Sequence, residues 1–354
     1  MRLFALLQEP ANYTLDLISN VYDPRGVKYA FVNAGSAAAA REVTEGQSLV
    51  PRGLWKKISF LRSELSKCDG LIINGYSEKD CLCLILLNML FYRRPMSFES
   101  DTELRFPPCR VKRFLKWLWL HFLFTRKYVY GFAGGNYGHK DLFRHYGMVE
   151  ERIFLMPMVV DNARYRQTEE NKIKVGARVR FGYVGRLIAL KQIDKVIMAI
   201  GALVKSGNDA ELVVVGDGDQ REKLESMAKT LPVQFTGKLF GDEKVHAIQS
   251  FDCLVLYSDY ESWGLVVNEA LASGVPVIVS DRVGARRDLV EGDAPTGLVV
   301  RWDDVNDLVE KMTTFTRDLP LRRTLSANAA KRMKGWDYAL YGRQFDAWRK
   351  AISA

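Results

Sequence analysis

The chain has 354 residues, 48% hydrophobic and 26% charged, so it can bury a large core and is not disordered, collagen-like or a coiled coil. Fifty-one basic against forty-two acidic side chains leave a net charge of +9. That excess favours an anionic partner such as nucleic acid, a phosphorylated substrate or a membrane surface, and the length suggests two domains.

Short apolar runs alternate with longer helical patterns, the signature of βαβ units and parallel sheets. In the first half strands are predicted at residues 2–7, 29–32, 70–73, 96–98 and 128–132, with 153–157 closing that half. From beyond the fourth of these to beyond the fifth, residues 104–140 contain no acidic residue. Arg105, Arg110, Lys112, Arg113, Lys116, Arg126, Lys127 and Lys140 there are interleaved with aromatic and aliphatic side chains. Phe114 to Phe124 reads as a basic, aromatic helix suited to a headgroup layer, with Trp117 and Trp119 on different faces. A core helix with a solvated basic end or a nucleic-acid contact are the other readings of it. A polar stretch over 161–176 is the linker candidate.

The second half predicts strands at 179–184, 210–215, 233–236, 253–257, 275–279 and 297–300. Helices are predicted at 192–205, 220–229, 244–249, 264–272, 285–290 and 305–315, with a last helix over 336–352. The fold expected is two doubly wound α/β domains with a cleft between them, ligands binding beyond the carboxyl ends of the strands.

Five scattered cysteines (Cys68, Cys81, Cys83, Cys109, Cys253) form no CxxC pair, which argues against a disulfide framework and structural zinc. Mostly apolar neighbours predict buried, reduced thiols and a reducing, cytoplasmic compartment. The apolar start over residues 1–7 is too short for a signal peptide. The apolar stretches 81–92 and 114–124 are shorter than the ~18 residues of a membrane span, so membrane contact is expected to be peripheral.

Familiar catalytic signatures are missing. Gly216-Asp217-Gly218 lacks the third glycine of a dinucleotide fingerprint and reads as turn and cap chemistry rather than a metal site. The four histidines form no i,i+4 pair, and there is no GxSxG elbow or P-loop lysine. Two pieces remain. Arg186 and Lys191 follow a strand and open a helix, which suits a diphosphate, although exposed cations at a helix start are common. Glu261 and Glu269 flank Gly264 with seven residues between them. Gly264 would let backbone approach a ligand, and Glu269 would lie in an otherwise apolar helix, where a carboxylate needs a reason.

The pieces VGRLIALK, VVVGDGDQRE, TGKL, ESWGLVVNEALASGVPVIVSD, VGARRDLV and TGLVV stand in this order over residues 184–300. This run resembles the nucleotide-sugar domain of family-4 retaining glycosyltransferases of GT-B fold, of the bacterial cell-surface polysaccharide type. The resemblance implies two Rossmann-like domains facing each other across a cleft. They would be an acceptor-binding domain over 1–165 and a nucleotide-sugar domain over 166–335, with a helix over 336–354 crossing back to the first. It implies a diphosphate held by Arg186 and Lys191, a ribose bound by Glu269 and a sugar ring bound by Glu261. Backbone at Trp263, Gly264 and Leu265 would face diphosphate and sugar, and Lys238 and Leu239 would lie beside the base. In the first half, Gln8 to Asn12 stands where the family often has a Gly-Gly loop. Glu99 stands where many members have a histidine, and is counted with Glu261, Arg186 and Lys191 as catalytic. The implied reaction moves a hexose from a nucleotide sugar, UDP-sugar ranked above GDP-sugar, to a saccharide or polyprenyl-diphosphate-linked acceptor without a metal. An anionic membrane surface is an expected partner, and nucleic acid ranks last. A nucleotide-sugar epimerase or phosphorylase, or a non-catalytic binding protein, are the alternatives.

Overall fold

A computed structural model describes residues 1–33, 48–49, 53–76, 78–104, 106–166 and 178–353. These form two compact units, Met1–Val159 with Tyr338–Ala354, and Val160–Asp337.

In the first unit, strands and helices alternate as β1 (Leu3–Leu7), α1 (Asn12–Leu17), β2 (Lys28–Phe31), α2 (Leu54–Lys67), β3 (Gly70–Asn74), α3 (Lys79–Leu87), β4 (Met96–Ser100), α4 (Arg110–Phe124), β5 (Val129–Ala133), α5 (Gly138–His145) and β6 (Ile153–Leu155). The sheet is parallel, in the order β2-β1-β3-β4-β5-β6. Every residue of β1 is buried, because a parallel strand covered on both faces must be apolar throughout. Leu61 and Leu65 of α2, Leu84 and Ile85 of α3, and Leu120 and Leu123 of α4 share one core cluster with residues of β1, β3 and β4. These three helices therefore cover the same face of the sheet.

The second unit opens with α6 (Asn162–Tyr165) and continues through β7 (Val179–Val184), α7 (Ile193–Lys205), β8 (Ala210–Val215), α8 (Arg221–Ala228), β9 (Val233–Gly237), α9 (Gly241–Gln249), β10 (Cys253–Leu256), α10 (Leu265–Ala272), β11 (Val277–Ser280), β12 (Gly297–Val300), α11 (Val305–Arg317) and α12 (Leu319–Met333). Its parallel sheet runs β12-β11-β10-β7-β8-β9. The loops after β7, β8, β9 and β10 consequently lie along one edge, at the carboxyl ends of the strands, where such sheets bind ligands.

The final helix, α13 (Tyr338–Ala351), packs within the first unit. Phe345 and Trp348 meet Phe132 with ring centroids 6.4 and 5.0 Å away, and Arg25 pairs with Asp346 at 3.0 Å.

Several expectations need correction. The junction between the units lies before residue 165, because Asn162 donates to the Met333 and Trp336 carbonyls at 2.7 and 3.0 Å. Trp336 stacks on Trp263 at 5.8 Å, so it stays with the second unit and α13 starts after it. Helix α12 was not foreseen. Pro320 reads as a breaker, but it sits in the first turn, where no N–H is needed and Asp318 caps Leu321 N at 2.8 Å. Strand β11 starts at Val277 rather than 275 because Pro276 has no N–H to give the ladder. Of the thiols, Cys68, Cys81 and Cys253 are buried, but Cys83 is half-buried and Cys109 exposed. Most of the candidate linker (167–176) and Arg105 lie outside the described residues. No helix among the described residues is long and apolar enough to cross a membrane.

Two glycines test the packing with opposite signs. A Cβ at Gly182 in β7 would lie 2.0 Å from the Phe251 ring, whereas one at Gly201 in α7 meets Leu231 at an ordinary 3.4 Å. Gly182→Ala should destabilise by about 1–3 kcal/mol through overpacking. Gly201→Ala should stabilise by up to about 1 kcal/mol through helix propensity. Thermal unfolding of both variants checks this; shifts of the same sign would contradict the packing described.

Candidate functional site

The loop after β7 is clipped to the loop after β8. Gly185 N donates to Val215 O at 3.0 Å and Leu187 N to Asp217 O at 2.9 Å. A Cβ at Gly216 would stand 1.8 Å from Gly185 O, and one at Gly218 2.3 Å from Leu187 O. The glycine pair that fails as a dinucleotide fingerprint thus permits two backbones to touch. Arg186 projects from this loop, exposed and without an ion pair among the described residues. Lys191 closes the following short turn, Ala189–Lys191, and forms an ion pair with Glu261, both side chains largely buried.

Glu261 is held by its backbone. Its N–H donates to Arg282 O at 3.1 Å and its carbonyl accepts from Gly284 N at 3.0 Å. Gly284 is required there, since a Cβ would fall 2.0 Å from Ser262 O. The Trp263 indole turns inward and donates to Asn268 Oδ1 at 2.7 Å, leaving only its backbone available to a ligand. Gly264, with φ of 93°, makes the left-handed turn that starts α10 at Leu265. The first N–H groups of that helix have no partner within it, which makes the end attractive to an anion.

Glu269 lies within α10 and is 8% exposed. Its Oε1 accepts from Tyr165 Oη at 3.0 Å and from Lys244 Nζ at 2.6 Å. Its Oε2 is buried with no hydrogen-bond partner. A buried carboxylate oxygen left open costs free energy unless something else donates to it. Exposed Lys238 and half-buried Leu239 follow β9 on the same edge of the sheet; no hydrogen bond among the described residues ties them to the carboxylates.

Glu99 belongs to the first unit, at the end of β4. Tyr341 of α13 donates to its Oε1 at 2.9 Å, Tyr22 to the same oxygen at 3.3 Å, and Asn74 to Oε2 at 3.0 Å. Burial pushes its carboxyl above the usual range, opposed by these hydrogen bonds. It lines a pocket with Tyr13, Asn74, Asp101, Met158 and Tyr341. Gln8, in the place of the absent Gly-Gly loop, donates to Asn74 O at 2.5 Å and so supports that pocket's wall.

Sequence reasoning overlooked Tyr165, Lys244, Tyr22, Asn74 and Tyr341. The partners of each carboxylate come from distant segments, and no local spacing marks them. No group of three or more His, Cys, Asp or Glu side chains among the described residues could hold a metal ion. Burial raises the Cys68 and Cys81 thiols to about 11 and about 12, so neither is a nucleophile at neutral pH.

Residues 166–332 match the family model for glycosyl transferases group 1. That segment of the second unit is similar to group 1 glycosyl transferases. Sulfoquinovosyl transferase SQD2 of Arabidopsis thaliana is 32% identical over 158 residues, 44% of this chain and 30% of that protein. A GDP-mannose-dependent alpha-mannosyltransferase of Mycolicibacterium smegmatis is 39% identical over 122 residues, 34% of this chain and 30% of that protein. The matched segment thus spans about a third of the length of these curated relatives. Among solved structures, Anabaena HepE in complex with UDP aligns with a TM-score of 0.77 at 17% identity, covering 99% of this chain and 100% of that one. The sucrose-phosphate synthase of Thermosynechococcus elongatus aligns with a TM-score of 0.69 at 15% identity, covering 100% of both chains. The fold is GT-B, built from two Rossmann-like domains.

Two predictions concern the carboxylates. Lys244→Met removes the charge partner of Glu269 and should destabilise the protein by about 1–3 kcal/mol, measured by denaturant unfolding. An unchanged unfolding midpoint would mean that the pair is not formed. For Glu99 the folded-state pKa lies above the unfolded value, so the folded protein holds the proton more tightly. Its contribution is most favourable at low pH and falls as pH rises above the ordinary 4.5 through the raised value. Glu99→Gln should therefore gain in relative stability over the parent as pH rises through that window. A difference independent of pH would contradict the raised pKa.

Proposed function

We propose that the protein is a retaining glycosyltransferase that moves a hexose from a nucleotide sugar to a saccharide or polyprenyl-diphosphate-linked saccharide, in surface polysaccharide synthesis at the cytoplasmic side of a membrane. The observation that carries this reading is the open, buried Oε2 of Glu269 in α10, a helix that follows β10 as the loop of unpaired Arg186 follows the neighbouring strand β7. A ribose diol supplies the donors that Oε2 lacks, and charge-assisted bonds of that kind are the stronger ones. Arg186, Lys191 and the start of α10 favour a diphosphate, with Lys238 and Leu239 placed for the base.

A UDP-sugar is proposed ahead of a GDP-sugar because solved structures matching the whole chain are described with UDP, with UDP and glucose, and with UDP-glucose. GDP-mannose is the second donor to try, since two mannosyltransferases similar to part of this chain are named as dependent on it. In the proposed reaction the bond from the anomeric carbon to the diphosphate breaks while the acceptor hydroxyl attacks from the same face. The hydroxyl proton passes to the departing phosphate. Arg186 and Lys191 stabilise the charge that grows on that phosphate, so no metal is needed. The Lys191–Glu261 pair leaves Arg186 as the cation near the diphosphate without a carboxylate partner among the described residues, and Glu261 is assigned to the sugar ring. Glu99, in the first unit's pocket, is assigned to the acceptor side, where a carboxyl with a raised pKa can donate to or accept from a sugar hydroxyl.

Glu269→Ala should weaken UDP binding by about 1.5–3 kcal/mol in calorimetry while the fold survives. Arg186→Ala should lower turnover more than it weakens ground-state binding, because leaving-group charge is largest in the transition state. Incubating the protein with UDP-glucose or GDP-mannose, with and without saccharide acceptors, separates the outcomes. A new α-glycoside from an α-linked donor supports transfer with retention. An epimerised donor, or no product with every donor that binds, overturns it.

A further inference from the structure

The first two turns of α4 are covered by nothing among the described residues. Residues 109–115 are all exposed, and the helix first reaches the core at Leu120. Yet these turns are apolar: Val111 is 66%, Phe114 60% and Leu115 57% exposed. A helix exposed on every side in water should be polar on every side. This one carries Arg110, Lys112, Arg113 and Lys116 between its apolar side chains, in the acid-free stretch 104–140. Arg113 lies over the Phe106 ring, 5.5 Å from its centroid, and Arg126 over Phe122 at 4.1 Å, so the cations cover aromatic faces instead of meeting carboxylates.

The neighbouring helices of the same layer repeat the pattern. Trp55, at the start of α2, is 81% exposed, and Leu90 and Phe91, just beyond α3, are 70% and 68% exposed. In the second unit the exposed large hydrophobics are spread at most two to a helix, as is ordinary for a soluble surface. The excess thus belongs to one helical layer, on the side of the first unit's sheet that carries α2, α3 and α4.

We propose that this layer docks on an anionic lipid bilayer, with the first half of α4 inserted among the headgroups and Trp55, Leu90 and Phe91 available on the flanking helices. Charge complementarity selects the occupant. Apolar side chains enter the acyl boundary while the interleaved cations meet lipid phosphates, and the helix is too short and too charged to span. A protein partner would satisfy the apolar side chains but would have to supply carboxylates for a whole turn of cations; an anionic leaflet presents both chemistries at once. The proposal requires neither donor binding nor transfer, so it stands or falls separately from the activity assigned above.

Sedimentation of the full chain with vesicles tests it, using phosphatidylcholine alone and phosphatidylcholine mixed with phosphatidylglycerol. Binding is expected to the mixed vesicles only, and to weaken as salt rises. Changing Arg110, Lys112, Arg113 and Lys116 together to Ser should weaken it by at least about tenfold. Phe114→Ser with Leu118→Ser should weaken it comparably although the charge is unchanged. Near-UV circular dichroism and UDP affinity should match the parent in both variants, which excludes misfolding as the cause. Equal partitioning onto neutral and anionic vesicles, no partitioning onto either, binding indifferent to both variants, or RNA bound in preference to vesicles would each overturn the proposal.

Discussion

A carboxylate inside an apolar helix is expensive unless its oxygens are met, and Glu269 is met on one side only. Tyr165 and Lys244 both serve Oε1, while Oε2 is buried and open. Much of the second unit's local architecture is explained by keeping that helix in place. Gly264 sets the angle at which α10 leaves the preceding loop, and the Trp263 indole, bonded to Asn268 and stacked on Trp336, anchors its first turn. Tyr165 reaches Glu269 from α6, which explains why the residues just before 166 belong to this unit rather than to the first.

The opposite side of the same sheet edge is set by glycine rather than by charge. Gly216 and Gly218 allow the loops after β7 and β8 to lie backbone on backbone, and this contact holds Arg186 at the strand ends with its side chain free. Lys191 is not free in the same sense, because Glu261 already neutralises it. Any diphosphate arriving there meets one unpaired cation, one paired cation and a helix end, each of which favours an anion.

The sheet strands were readable because parallel strands buried on both faces are continuous apolar runs; β7, β8 and β12 fall on the residues expected. Helices defined by tertiary context were less readable, as α12 shows, since a proline in the first turn looks in sequence like the end of a helix. At the site, Arg186, Lys191, Glu261 and Glu269 stood out because Glu269 is a carboxylate in an apolar helix, Glu261 stands across Gly264 from it and the other two are cations at a strand end. Their partners were illegible. Lys244, Tyr165 and the Tyr22–Asn74–Tyr341 set around Glu99 lie far from the groups they serve, and a tyrosine or lysine on a helix has no local feature that announces a buried bond. Glu99 itself was placed by resemblance to a family position, while its hydrogen-bond cage emerges only from the fold, which brings Tyr341 of α13 to join Tyr22 and Asn74.

The central claim is that the open oxygen of Glu269 is a receptor for the sugar of a nucleotide. A crystal structure of the full chain with UDP tests it most directly. The account predicts ribose hydroxyls within hydrogen-bond distance of Glu269 Oε2 and the diphosphate against Arg186 and the start of α10. UDP bound elsewhere, or bound in that region with a water on Oε2 and the ribose turned away, would contradict it.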